Sequence, residues 1–415
     1  MIAERMAQLS TQFFAALEAK KAALLRSGKE IISLDVGSPD LPPPAEIIET
    51  LVAAARQPDT HGYQSHQSPR MYRQAWSTYY QNTFAVSLDP DREVLGLLGS
   101  KEGIFHLALA LIDPGDLVLV PDPAYMTYLR GTLAAGGTPY LLPLLAQNNY
   151  LPDLDAIPEA VARKAKLLWL NYPNNPTAAV CCLDDLENVV RFAQKYGILV
   201  CHDAAYSQVT FDGYRAPSIL EIPGAKEVAV EINTLSKSHN MAGWRVAAAL
   251  GNPQAVRALH MIKTHADSGH FLPVLAAATT AMTGDQTWLH ERNLVYQERR
   301  DRVMEALREL GWQAATPRAS LYVWFHVPQG WDSAGFATAA LERSQISLTP
   351  GTVFGTHGEG YIRLSLTEST ERVAQAMDRL VKVSPPTTSR RAPGSAVSPS
   401  PSSSAQRTRS PVALP

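Results

Sequence analysis

The chain has little cysteine, little net charge and no long apolar run, and each shortage excludes something. Three cysteines among 415 residues (Cys181, Cys182 and Cys201) cannot build a disulfide framework. Cys181 and Cys182 are adjacent, unlike any metal-ligand spacing, so no metal site is expected. A formal net charge of −2 makes no electrostatic case for a nucleic-acid or membrane partner. No run is long enough to cross a bilayer, and the charged first ten residues hold no apolar signal core. A soluble, cytoplasmic protein with reduced thiols is expected. The glycine spacing of Leu98-Gly-Ser-Lys-Glu-Gly103 fits neither a dinucleotide fingerprint nor a P-loop.

What is present is apolar and periodic. With 46% hydrophobic residues the chain can bury a large core, as one sizeable domain plus a smaller one. Met6, Leu9, Phe13, Phe14 and Leu17 recur at helical spacing before Gly28. Apolar runs at Val94–Leu97, Leu117–Pro121, Leu167–Leu170, Ile198–Cys201, Val228–Ile232 and Val246–Leu250 alternate with helical stretches such as Leu183–Tyr196. That alternation predicts an α/β fold, a mostly parallel sheet with helices on both faces. From about Gln286 the pattern changes to a long charged helix and then strands at Leu321–Phe325 and Tyr361–Leu366. Beyond Val383 the composition collapses to Ser, Pro, Thr, Arg and Ala, so residues 384–415 are expected to be a disordered tail.

The chemistry-bearing residues cluster just past the strands. Asn233-Thr-Leu-Ser-Lys-Ser-His-Asn-Met-Ala-Gly-Trp-Arg245 sets one lysine, Lys237, among the hydroxyls of Thr234, Ser236 and Ser238, with Arg245 beyond. A lysine held in a partly desolvated pocket can be neutral and nucleophilic, fit to form a Schiff base with a carbonyl cofactor. Hydroxyls and an arginine fork beside it suit a phosphate. Gly99-Ser100 at a helix start offers free amides to an anion, although an N-cap serine explains the same residues. Tyr125 and Tyr128 follow one strand, Asn171-Tyr-Pro-Asn-Asn-Pro-Thr177 another, and His202-Asp-Ala-Ala-Tyr206 a third. Polar groups at four separate strand ends point to a ligand site. Gly37 lies in a Pro-rich extended segment where backbone can approach a ligand, and Arg363 stands opposite the apolar face of its strand.

In this order, Gly-Ser-Lys-Glu-Gly-Ile, Asn-Asn-Pro-Thr, Asp-Ala-Ala-Tyr, Ser-Lys with Asn-Met-Ala-Gly-Trp-Arg, and Tyr-Ile-Arg-Leu-Ser resemble the class I/II aminotransferases of the pyridoxal-phosphate fold-type I superfamily. The resemblance covers roughly residues 1–383. It implies a large cofactor-binding domain (46–285) and a smaller α+β domain built from both chain ends (1–45 and 286–383). By resemblance, Lys237 is the Schiff-base lysine and Asp203 the partner of the pyridine nitrogen. Asn175 and Tyr206 face the cofactor's phenolic oxygen, and Tyr125 stacks on its ring. Ser100, the Lys101 amide, Thr234, Ser236 and Arg245 hold the phosphate. Arg363 grips the substrate carboxylate, with Gly37 and Asn175 beside it. Tyr63 resembles the tyrosine that reaches the phosphate of a partner subunit, which implies a homodimer with shared sites. The Gly-Ser-Lys-Glu-Gly and Pro-Asp-Pro-Ala-Tyr segments are most similar to the branch acting on LL-diaminopimelate and related acidic or diamino acids. The implied activity is transamination between an amino acid and a 2-oxo acid. A carbon–sulfur β-lyase on the same scaffold and a non-catalytic relative are the alternatives. One departure stands out: Ala178 follows Asn-Pro-Thr where the family usually has glycine, so a positive φ there would strain the turn.

Overall fold

The computed structural model describes residues 2–9, 12–381 and 383; the tail expected to be disordered lies outside them. A two-residue strand, β1 (Ile32–Ser33), precedes seven further strands, six of them on the predicted apolar runs and one, at Thr138–Pro143, that no run predicts. These are β2 (Val94–Leu97), β3 (Leu117–Asp122), β4 (Thr138–Pro143) and β5 (Ala165–Asn171). They continue as β6 (Leu199–Asp203), β7 (Ala229–Thr234) and β8 (Ala247–Gly251). Together β2 to β8 form one sheet in the order β2-β8-β7-β6-β5-β3-β4. Pairing is parallel from β7 through to β4, while β8 runs antiparallel to both of its neighbours.

Alternation within β5 shows why the runs read as continuously apolar. Leu167 and Trp169 pack with Ile104, Leu107 and Leu259 on one face, and Leu168 and Leu170 with Tyr72, Val189 and Ala278 on the other. Both faces are covered by helices, so neither can carry a polar stripe. Polar residues are displaced to the strand ends, and the carboxyl ends of β3, β5, β6 and β7 share one edge of the sheet.

The remaining strands belong to a second core. They are β9 (Tyr322–His326), β10 (Ile346–Ser347), β11 (Thr349–Pro350) and β12 (Tyr361–Ser365). β12 pairs antiparallel with β9 and β11, and β1 pairs in parallel with β10, so Ile32 meets Ile346. The chain's beginning and end are thereby joined. Ile32 and Leu34 share an apolar cluster with Val323, Ile362, Leu364 and Val373, and the cluster also takes in Tyr206, Val209 and Phe211 from beyond β6. The Arg299 guanidinium reinforces the join with two 2.8 Å bonds to the Asp40 carboxylate.

One local expectation needs correction. The apolar spacing from Met6 to Leu17 spans two elements rather than one helix: a 3-10 helix at Glu4–Leu9 and an α-helix at Gln12–Arg26, which ends before Gly28 at φ +80°. The long charged helix expected from about Gln286 is present as Trp288–Glu309.

Candidate active site

Four strand ends and one returning segment build a cleft of about 540 Å³. Gly37, Ser100, Lys101, Tyr125, Asn175, Asp203, Tyr206, Lys237 and Arg363 all line it. Nine of the predicted residues, drawn from chain positions far apart, thus come together.

Asp203 ends β6 and is buried. Its Oδ2 accepts from the Tyr128 hydroxyl at 2.7 Å and its Oδ1 from the Ala205 amide at 3.3 Å. Among the described residues no cation is ion-paired to it. Burial pushes its carboxyl up to about 6, against the pull of the Tyr128 bond and of the charge on His202. Tyr128 is itself buried, stacked on Trp169 at 5.4 Å between ring centres. Burial holds its phenol well above the ordinary range, so it donates as a neutral hydroxyl.

Asn171, at the end of β5, ties the neighbouring loop to this point. Its Nδ2 donates to the Asp203 carbonyl at 2.7 Å, and its Oδ1 accepts from the Asn175 amide at 2.8 Å. The loop then turns back at Ala178, whose φ is +58°. The left-handed conformation suspected from the sequence is therefore real, and alanine occupies it. Asn175 nevertheless reaches the cleft, where its Oδ1 accepts from Arg363 Nη1 at 2.9 Å.

Lys237 sits on the single turn Leu235–Ser238 that follows β7. Thr234 caps this turn: its Oγ1 accepts from the Ser236 amide at 3.1 Å and donates to the Val246 carbonyl at 2.8 Å. That hydroxyl is thus committed to the backbone, and Ser236 Oγ lies 2.9 Å from it. Lys237 Nζ donates to the Gly37 carbonyl. Lost hydration lowers the lysine's pKa, and the charges of Arg363 and Arg245 add to the effect. A Cβ on Gly37 would fall 2.0 Å from the Tyr322 hydroxyl, so no other residue fits there.

The helix Ser100–Leu111 begins without a side-chain cap; Gly99 at φ +87° precedes it. The N-cap serine explanation of Ser100 therefore does not apply, and the first amides are left for a ligand. A Cβ on Gly99 would lie 2.0 Å from Arg245 Nη2, so the Arg245 guanidinium is pressed against this helix start. Arg363, on β12, is buried. Its Nη2 donates to the Asp35 carbonyl at 2.7 Å, its charge lies over the Tyr322 and Phe354 rings at 4.2 and 4.7 Å, and its Nε has no partner. Thr234, Ser236 and Arg245 do not line the cleft, and Tyr63 stands apart from it, 92% exposed on the surface.

The sequence analysis placed Tyr128 and Asn171 at strand ends near the ligand site without a specific role, and it did not single out Tyr322 or Asp35, which leave no local signal. A further acid cluster, Glu102, His106 and Asp267, has the proximity of a metal site. Its acids are already paired with the Lys263 ammonium, at 3.3 Å from Glu102 and 2.7 Å from Asp267.

The model of the aminotransferase class I and II family matches residues 29–380, and the chain belongs to that family. It is similar to the LL-diaminopimelate aminotransferase of Moorella thermoacetica, 50% identical over 381 residues that span 92% of this chain and 98% of the relative. The enzyme of the same name from Desulforudis audaxviator is 49% identical, over 91% of this chain and 96% of its own length. Among solved structures, substrate-bound BacF from Bacillus subtilis superposes with a TM-score of 0.89 at 34% identity, covering 92% of this chain and 98% of BacF. A double mutant of the Thermus thermophilus aspartate aminotransferase gives 0.87 at 26% identity, covering 92% and 99%. The protein is a pyridoxal-phosphate-dependent aminotransferase of fold type I, acting on amino and 2-oxo acids. The lyase and non-catalytic alternatives are not favoured. The cleft suits the cofactor: a buried carboxylate with no ion pair among the described residues, a lysine with a lowered pKa, and an open helix start backed by an arginine. Among the described residues no helix is long and apolar enough to cross a membrane.

Two stability measurements follow from this geometry. The raised Asp203 pKa means that the folded apoprotein favours the protonated acid, so stability is lost as pH rises through about 6. Asp203→Asn should make the apoprotein on the order of 2–3 kcal/mol more stable at about pH 8, with the gain gone below about pH 4. Urea denaturation at both pH values checks this; a gain independent of pH would contradict it. Ala178→Gly should stabilise the protein by about 0.5–1 kcal/mol, because relief of the left-handed penalty exceeds the added chain entropy. A lowered denaturation midpoint would show the turn to be unstrained.

Proposed function

We propose that this aminotransferase takes the amino group from LL-diaminopimelate and passes it to a 2-oxo acid, in the cytoplasm, as a homodimer. The observation that carries the reading is the convergence of Lys237, Asp203 and Arg363 on one cleft, in a chain 50% identical to a relative of that name.

When bound, pyridoxal phosphate supplies an electron sink for the pair left by the breaking Cα–H bond. The chain's own residues do the rest. Lys237, its amine lowered in pKa by burial, would hold the cofactor through its carbonyl carbon and would carry the proton removed from the substrate Cα. Asp203 would hold the pyridine nitrogen protonated. Tyr206 and Asn175 would donate to the phenolic oxygen, Tyr125 would stack on the ring, and Ser100, the Lys101 amide, Ser236 and Arg245 would hold the phosphate. Thr234, with its hydroxyl already committed, acts by fixing Ser236. Arg363 binds the substrate α-carboxylate bidentately, and the Gly37 backbone closes over it.

LL-diaminopimelate carries an amino-acid group at each end, so a second carboxylate must be accommodated away from Arg363. Lys101 and Arg130 line the same cleft and supply positive charge for it. The unit built from residues 1–45 and 286–383 would close on residues 46–285 as the substrate binds. The exposure of Tyr63 suits a residue that completes its contacts on a second copy.

Adding LL-diaminopimelate to the holoenzyme without an acceptor should bleach the near-visible cofactor absorbance faster than aspartate does. The reading is sunk if cystathionine instead gives steady pyruvate release under those conditions. Sedimentation should find a dimer at assay concentration. An active monomer would remove Tyr63 from the site.

A further inference from the structure

Behind Asp203 lies a buried polar group that the reaction as described leaves unused. His202 precedes Asp203 on β6 and is fully buried, as is Glu231 on the adjacent β7. His202 Nδ1 lies 2.8 Å from Glu231 Oε2, and its Nε2 lies 3.1 Å from the Tyr172 carbonyl oxygen. A carbonyl can only accept, so Nε2 carries a proton.

The proton on Nδ1 follows from the company around Glu231. Asn233 Nδ2 donates to the Tyr80 oxygen at 2.9 Å, which leaves the Tyr80 proton for Glu231 Oε1. Ser218 Oγ donates to the same carboxyl at 2.9 Å, and the Ile219 amide donates at 3.0 Å. Three neutral donors directed at one carboxyl favour its ionised form. An ionised Glu231 only accepts, so Nδ1 must also be protonated.

We propose that His202 is a positioning residue, an imidazolium bonded to Glu231 whose charge favours the ionised form of Asp203 and which anchors the loop presenting Asn175. Its first action is through charge, one residue along the strand, in an interior where a unit charge is poorly screened. Its second is through the Tyr172 carbonyl, since Tyr172 opens the loop that leads to Asn175. The electrostatic action is the distinctive one, and it rests on the reading of Asp203 as the partner of the pyridine nitrogen.

The ionisable groups that face Asp203 are known. Tyr128 donates to it from the segment after β3; Cys201 and His202 share its strand; Glu231 faces it from β7; Tyr206 follows it; Lys237 faces it from the turn after β7. Of these His202 and Lys237 are the cations, and the lysine is consumed in the chemistry. The histidine is the fixed counter-charge.

The test has two arms. Nitrogen-15 NMR of histidine-labelled wild-type apoenzyme at about pH 7 should show both ring nitrogens of His202 protonated. An unprotonated ring nitrogen there overturns the proposal, and this arm needs no variant to fold. In the second arm, pyridoxal-phosphate affinity is measured against pH by fluorescence for wild type, His202→Gln and Asp203→Asn. His202→Gln keeps an amide donor and loses the charge. The acid limb of its binding profile should move up by roughly one pH unit. An unmoved limb in a folded His202→Gln protein overturns the electrostatic role. If Asp203→Asn leaves the profile unchanged, the reading of Asp203 fails instead, and the protonation state of His202 stands on the first arm.

Discussion

Holding one carboxylate ionised inside an apolar core is the constraint around which this molecule is arranged. On the proposed role of Asp203, the carboxylate must be dry enough to meet a pyridinium ion strongly, and dryness itself opposes its charge. The fold answers with a hydroxyl from Tyr128, an amide from Ala205 and a histidine behind the strand. Each supporting group is supported in turn: Tyr128 by Trp169, His202 by Glu231, and Glu231 by Tyr80 and Ser218. The sheet's two apolar faces supply the low dielectric, and its carboxyl edge is the one place where these polar groups can gather.

The same logic governs Lys237. A lysine at the tip of a single helical turn would ordinarily be solvated and fully charged. Here the turn is pinned by Thr234, the amine is directed to the Gly37 carbonyl, and two arginines stand nearby. Desolvation therefore raises the acidity of one group and lowers that of the other, so acid and amine approach each other in proton affinity. A site built to move protons needs that convergence.

Much of this was legible in the chain because the cofactor-facing residues follow strand ends, and strand ends are marked by apolar runs stopping at polar ones. Asn175, Asp203, Lys237 and Ser100 were found that way, and their cleft is the one the fold forms. Thr234 was read as a ligand group because its hydroxyl is adjacent to the lysine in sequence; which way a hydroxyl bonds depends on Val246, a residue on another element. Tyr322 and Asp35 were invisible for the same reason, since their importance comes from contacts across the molecule with Gly37 and Arg363. The antiparallel direction of β8 left no trace either, because a strand buried on both faces reads the same in either direction. Ala178 was the opposite case, in which the glycine usual in the resembled family pointed to a left-handed backbone that the chain keeps with alanine.

The join between the chain's two ends has a consequence for how the protein is made. Arg363 bonds to the Asp35 carbonyl across 328 residues of sequence, and Lys237 bonds to Gly37 across 200. During synthesis, all seven strands of the large sheet have been made before β12 exists. The segment carrying Asp35 and Gly37, though among the first to leave the ribosome, must wait for one of the last strands. Long-range closure of this kind is slow and leaves apolar surface uncovered meanwhile. A nascent chain can thus hold its cofactor-facing edge before it can grip a substrate.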